Sequence, residues 1–155
     1  MSERQLVLRL LDEAYDRRAW HGPNLRQSIR GVSARQAARR PGRGRHNIWE
    51  IVIHAAYWKY AVRRRLLGGK RGSFALPGSN WFRRAEEPTD SAWRADCALL
   101  EREHWALRRA AAQVIDTPRG RKLLRHIYGT ALHDVYHAGQ IRLLRRLMTA
   151  RAAAR

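Results

Sequence analysis

Apolar residues recur at intervals of three and four in four long segments of this 155-residue chain, and alternating strand patterns are absent. That spacing is the period of an α-helix with one buried face. In the second segment the apolar positions are Ile48, Ile51, Ala55, Trp58, Val62 and Leu66. Because amphipathic helices bury their apolar faces against one another, the pattern predicts an all-α, up-down four-helix bundle.

Capping and breaking residues set the ends of the first two predicted helices. Ser2 and Gln5 have the spacing of a capping box, so we expect the first helix to run from Ser2 to about residue 18. The second is predicted to begin at Asn47, with Glu50 as its capping partner. It should end at Gly68, since glycine commonly follows the last turn of a helix.

A long crossover loop is predicted between the second and third helices. The segment 68–88 contains four glycines and two prolines, which interrupt regular structure. We expect the loop to be ordered and held by its aromatic residues, Phe74, Trp81 and Phe82. The third helix should start near Thr89 or Asp90, and the last carries Ile127, Ala131, His133, His137, Ile141, Leu144 and Met148.

Length and composition favour one globular domain spanning residues 1–155. An apolar fraction of 45% and six tryptophans are typical of a packed chain. No apolar run is long enough to span a membrane, and the first residues lack the pattern of a signal peptide. Cys97 is the single cysteine, which excludes an internal disulfide. These features together predict a cytoplasmic protein.

The net charge of +19 is the one compositional feature that favours a nucleic-acid partner. However, 29 of the 32 basic residues are arginines, scattered over separate predicted elements. That distribution is more typical of a codon preference than of a phosphate-binding surface. We therefore do not expect nucleic acid to be the partner.

His133 and His137 are the first indication of a functional site. They are four residues apart, so on a helix both rings project from one face a turn apart. Two imidazoles so placed can bind one metal ion, although a bare pair is equally compatible with ordinary packing. His126 lies about 10 Å farther along the same helix, too far to share the ion. His104 falls in an apolar stripe, where a core position is expected.

His54 strengthens the metal interpretation because Ile51 and Trp58 flank it one turn on either side. A buried imidazole needs a partner, and a metal shared with His133 and His137 would supply one to all three rings. Three nitrogen ligands leave positions open for a reactant. Imidazole suits zinc, nickel or iron; manganese is a further candidate, and zinc or nickel is favoured. Candidates for holding the rings by their other nitrogens are Asp134, Tyr136 and Gln140.

Two stretches, NIWEIVIHAAYW from Asn47 and HDVYHAGQI from His133, resemble the DinB-like superfamily of DNA-damage-inducible bacterial proteins. The resemblance implies an up-down four-helix bundle, a divalent metal held by His54, His133 and His137, and frequent homodimers. Characterised relatives include transferases and isomerases that use low-molecular-weight thiols such as bacillithiol and mycothiol.

The leading functional hypothesis is therefore a metal-dependent thiol S-transferase acting on a small-molecule substrate. The metal would favour the thiolate form of a bound thiol, which would attack an electrophile held beneath the crossover loop. Arginines of the loop could hold a carboxylate of either reactant. The candidate substrate-binding residues are Trp58, Arg71, Trp81 and Arg83, with Arg84 as a further loop arginine.

Three alternatives remain open from the sequence. In one of them the protein is a metal-free scaffold whose histidines only pack. A metal-dependent hydrolase would place water at the open position, with Asp134 as the only nearby carboxylate. A basic stress-response protein that binds nucleic acid would use the metal for stability alone.

Overall fold

The computed structural model describes residues 1–83 and 88–153, and this part of the chain is all-helical, as predicted, with no strand. Seven helices occur in it. They are α1 (Glu3–Tyr15), α2 (Leu25–Ile29), α3 (Ala34–Ala38), α4 (Ile48–Leu67), α5 (Asp90–Val114), α6 (Pro118–Lys122) and α7 (Leu124–Ala153).

The start of α1 confirms the predicted capping box. The Ser2 hydroxyl accepts from the Gln5 backbone N–H, and the Gln5 side chain accepts from the Ser2 backbone N–H. The helix ends at Tyr15, about three residues earlier than predicted, with Asp16 as its C-cap.

The start of α4 is as predicted, but the role of Glu50 is not. The Asn47 side chain caps the helix by accepting from the Glu50 backbone N–H at 2.8 Å. The Glu50 carboxylate, however, does not return to the cap. It is buried and binds Arg40 and His46, because a buried carboxylate is stabilised more by charged partners than by one backbone N–H.

The chain between α1 and α4 contains two short helices, whereas the spacing of Leu25, Ile29 and Val32 predicts a single short helical piece there. Each has its own capping box, Asn24 with Gln27 for α2 and Ser33 with Gln36 for α3. The apolar periodicity of a five-residue helix covers little more than one turn, so it does not separate two such helices from one.

Gly68 ends α4 with φ of 73°, a left-handed conformation that glycine adopts without strain. The crossover loop follows, and its aromatic residues pack as expected. Phe82 is buried, and Phe74 packs against Phe82 and Tyr57 with ring centroids 5.3 and 5.4 Å apart.

The site is positioned by α4 and α7, which contact each other along their length, while α5 packs against α4 and α1 packs against α7. The core is a pair of apolar clusters, one around the start of α4 and one around its end. No helix in the described residues is both long and apolar enough to cross a membrane.

Gly120 marks the tightest backbone contact of the fold. It lies in α6, and a Cβ at this position would come within 1.8 Å of the Val114 backbone oxygen at the end of α5. Because that neighbour is backbone rather than a flexible side chain, only glycine fits there.

We predict that Gly120→Ala lowers the free energy of unfolding by about 1–3 kcal/mol, since the added methyl forces α5 and α6 apart. The matched control is Gly139→Ala, where a Cβ meets nothing within 4 Å. That substitution should raise stability by about 0.5–1 kcal/mol, because alanine is the better helix former. Urea denaturation measures both, and equal stability of the two variants would contradict the close contact.

Candidate metal centre

Three histidines from two helices converge at one point, and we refer to His54, His133 and His137 as the three-histidine site. His54 Nε2 lies 3.1 Å from His133 Nε2, and His137 Nε2 lies 3.0 Å from the same atom. One ligand atom of each ring lies within 4.8 Å of the others, a spacing that one metal ion can bridge. His54 is 6% exposed and His137 2%, and His133 is half-buried.

Hydrogen bonds on the far side of two rings determine where their lone pairs point. His54 Nδ1 lies 2.8 Å from the Asn80 backbone oxygen, and His137 Nδ1 lies 2.7 Å from Gln140 Oε1. Both oxygens can only accept, so each Nδ1 carries the hydrogen and donates it. In the neutral rings Nε2 is then unprotonated, and both lone pairs point at His133.

The hydrogen-bond donors of the site do not satisfy both of these lone pairs. His133 Nε2 can donate at most one hydrogen, so it satisfies only one of the two lone pairs that face it. The lone pair of the other ring, about 3 Å from the same nitrogen, then receives no hydrogen. A cation at the centre would accept all three lone pairs at once.

The nitrogen separations also fit a metal–ligand geometry. With metal–nitrogen bonds of about 2.1 Å, two ligands at a right angle lie about 3.0 Å apart, and two at the tetrahedral angle about 3.4 Å. The measured 3.0 and 3.1 Å are closer to the right-angle value. Three nitrogen ligands would leave positions of such an ion open for a reactant.

The electrostatic environment keeps the three rings neutral. Burial, together with the other two histidines and Lys59, lowers the pKa of His133 to about 3. Burial, together with His54 and Lys59, lowers the pKa of His137 to about 4, although its bond to Gln140 opposes the shift. Burial also lowers the pKa of His54, although its bond to Asn80 opposes the shift. Deprotonated imidazoles at neutral pH are the form that binds metal.

The crossover loop is attached to the site through Asn80 and Trp81. Asn80 adopts φ of 62°, which asparagine tolerates, and its side-chain oxygen accepts from the Trp58 indole N–H at 3.0 Å. The Trp81 ring stacks on His54 at 3.8 Å and on His46 at 3.6 Å. The loop therefore holds His54 by its backbone and by its aromatic side chain.

The residues expected to orient the rings have different roles. Gln140 holds His137, and its amide nitrogen donates to the Tyr136 hydroxyl at 3.0 Å. The Tyr136 ring also packs edge-to-face against the His137 ring, with centroids 5.2 Å apart, but its hydroxyl does not bind a ring nitrogen. Asp134 does not hold a ring. It forms a buried ion pair with Lys59, because in the interior a carboxylate is stabilised more by an ammonium than by a neutral imidazole.

Beneath the three-histidine site lies a polar layer made of Tyr15, Lys59, His104 and Asp134. Lys59 and Asp134 are each 1% exposed. The Lys59 ammonium also lies 3.4 Å from His104 Nδ1, and the Tyr15 and His104 rings stack at 3.8 Å. Burial and the neighbouring cations lower the pKa of His104 to about 2, so this ring stays neutral.

A cavity of about 590 Å³ opens directly on the three-histidine site. Its lining includes His54, His133 and both predicted tryptophans, Trp58 and Trp81. Six further residues that line the cavity are not predicted from the sequence: Val62, Asn80, Arg125, His126, Gly129 and Thr130. Five of these could have been found, because they lie on the α4 or α7 face one to two turns from a site histidine. Asn80 could not, since no periodicity places a loop residue.

The predicted loop arginines do not line this cavity. Arg71 is exposed beside a separate cavity between α4 and the loop, and Arg83 lies near His46 and Glu50. The described loop arginines, Arg71 and Arg83, therefore line cavities other than the one beside the three-histidine site. Arg84 lies outside the described residues.

Comparison with known proteins identified no relative of this chain. No family model matches the chain, and searches of curated proteins and of solved structures found no match.

Proposed function

We propose that the protein binds one divalent metal ion at the three-histidine site and uses it in a reaction of a low-molecular-weight thiol. The two Nε2 lone pairs that face His133 carry the metal part of the proposal, because the protein leaves one of them without a hydrogen. The thiol part rests on the resemblance of the histidine-bearing stretches to DinB-like proteins. We also infer that α1, α4, α5 and α7 form the up-down bundle of that superfamily.

Our choice among zinc, nickel, iron and manganese uses the ligand type and the spacing of the nitrogens. Three imidazoles favour zinc, nickel or iron over harder cations such as magnesium and calcium. Nitrogens about 3.0 Å apart favour an ion that accepts near-right-angle ligands, which nickel and iron do more readily than tetrahedral zinc. Nickel therefore agrees best with both observations.

The chain's residues would prepare the reaction in two ways, and a bound metal would add a third effect. Asn80 and Gln140 fix the rings of His54 and His137, so that these rings would hold the ion beside the cavity that His54 and His133 line. A bound divalent metal would supply one property, a lower pKa for a thiol at that position. Trp58 and Trp81 would hold the electrophile and exclude water from its reacting carbon.

The transfer itself is a substitution in which the thiol sulfur replaces the leaving group on a carbon of the electrophile. The thiol sulfur forms a bond to carbon of the electrophile, the thiol proton passes to solvent, and the leaving group departs with the electron pair of its broken bond. No oxidant or reductant is needed. Among the described residues no carboxylate lines the cavity, and Asp134 is paired with Lys59. These residues therefore offer no carboxylate that could act as a general base for hydrolysis.

For metal binding, we predict that unchelated protein contains one divalent ion per chain. His54→Ala and His137→Ala should each weaken binding by about 100-fold or more, because two nitrogens remain. His126→Ala is the matched control, since His126 is exposed and is not part of the three-histidine site. Elemental analysis and equilibrium dialysis measure this, and retention of a full equivalent by His137→Ala would contradict the site.

For the reaction, we predict that metal-loaded protein conjugates bacillithiol, mycothiol or another cellular thiol to 1-chloro-2,4-dinitrobenzene with release of chloride. The rate should exceed that of His137→Ala by about tenfold or more, corresponding to about 1.4 kcal/mol of barrier. Arg142→Gln changes an exposed residue outside the cavity and serves as the control. Absence of conjugation with every thiol at full metal occupancy would exclude the transferase while leaving the metal site intact.

A further inference from the structure

The cavity contains the cationic side chain of Arg125, which none of the described residues pairs with. Arg125 lines the wall contributed by α7, and within residues 1–83 and 88–153 its guanidinium has no hydrogen bond or ion pair. Other arginines near carboxylates are paired: Arg63 binds Glu103 and Arg108 binds Asp12. Arg125 therefore has all five of its N–H donors available to a ligand.

The remaining lining makes the cavity favourable for an anion. None of the described residues around it is a carboxylate, and a metal ion at the three-histidine site would add positive charge. Charges of one sign in a cleft with apolar walls attract the opposite charge more strongly than they do in open solvent. A guanidinium binds a carboxylate through two parallel hydrogen bonds, which fixes the orientation of the ligand.

Between Arg125 and the histidines the wall is apolar and held in place. Trp58 and Val62 come from α4 and Trp81 from the loop. The Trp58 indole is bound by Asn80, and the Trp81 ring is stacked on His54, so neither has to be ordered when a ligand enters. Such walls suit the flat or chain-like apolar part of a small molecule.

Helix geometry gives the length of the ligand. Arg125 lies eight residues before His133 on α7, a rise of about 12 Å. Because the arginine side chain is long and flexible, its guanidinium can meet an anionic group on the order of 10 Å from the histidine nitrogens.

We propose that the cavity binds a small organic carboxylate whose anionic group pairs with Arg125 and whose apolar body lies along Trp58 and Trp81. The far end of this ligand reaches the three-histidine site. That last contact rests on the proposed function, whereas the carboxylate and apolar contacts do not.

The first test uses chelator-treated protein, so that no metal contributes. Titration with 6-phenylhexanoate and with 6-phenylhexanol, followed by tryptophan fluorescence, should show the acid binding about three- to tenfold more tightly. Arg125→Gln should abolish this preference. Arg142→Gln, an exposed arginine of the same helix outside the cavity, should retain it. If Arg125→Gln retained the preference, the general attraction of a +19 chain would explain it and the proposal would be wrong.

The second test locates the apolar body. Gly129 lines the cavity, and a Cβ there would meet no atom within 4 Å, so Gly129→Leu should fill part of the space and weaken both the acid and the alcohol about tenfold or more. Gly139→Leu, also open but outside the cavity, should leave both unchanged. Unchanged binding in Gly129→Leu would place the ligand elsewhere and overturn the proposal.

The third test uses a ligand that should contact both Arg125 and a metal ion at the three-histidine site. Metal-loaded protein should bind 8-mercaptooctanoate more tightly than octanoate, and Arg125→Gln should weaken both by the same factor. If no metal bound at all, the proposed function would fail while the acid preference of the chelated protein remained. The two failures are therefore distinguishable.

Discussion

Lys59 and Asp134 form an ion pair in the interior between α4 and α7, each about 1% exposed. Burial removes hydration that is worth several kcal/mol per ion, so each charge needs the other as its partner. Lys59 follows His54 by five residues on α4, and Asp134 directly follows His133 on α7. The pairing thus constrains the register of the two helices, and that register brings His54 Nε2 within 3.1 Å of His133 Nε2.

The polar layer extends this constraint to the other two long helices. His104 of α5 lies against Lys59, and Tyr15 of α1 stacks on His104, so each long helix contributes one residue. His104 Nε2 and Asp134 Oδ1 are buried without a hydrogen-bond partner in the part of the chain that the structure describes. Such groups lower stability, which makes the layer a source of specific alignment rather than of net stabilisation.

The helical class, the capping of α1 and the histidines could be predicted because each depends on spacing along one helix. A separation of four pairs His133 with His137, and the apolar neighbours of His54 turn it inward. Lys59 was missed although it lies four residues after Ala55, on the buried face, because lysine normally indicates the solvent side. The contact between the Asn80 carbonyl and His54 could not be predicted, because it depends on the path of the crossover loop and not on a helical spacing.

The positions of the ring hydrogens in the three-histidine site can be measured directly by long-range proton–nitrogen correlation spectra of ¹⁵N-labelled protein. In chelated protein, His54 and His137 should carry their hydrogens on Nδ1, with Nε2 unprotonated. One equivalent of Zn²⁺, which is diamagnetic, should shift the Nε2 resonances of all three histidines and leave the Nδ1 hydrogens of these two in place. Nε2-protonated His54 and His137, unchanged on metal addition, would contradict a metal centre built on these lone pairs.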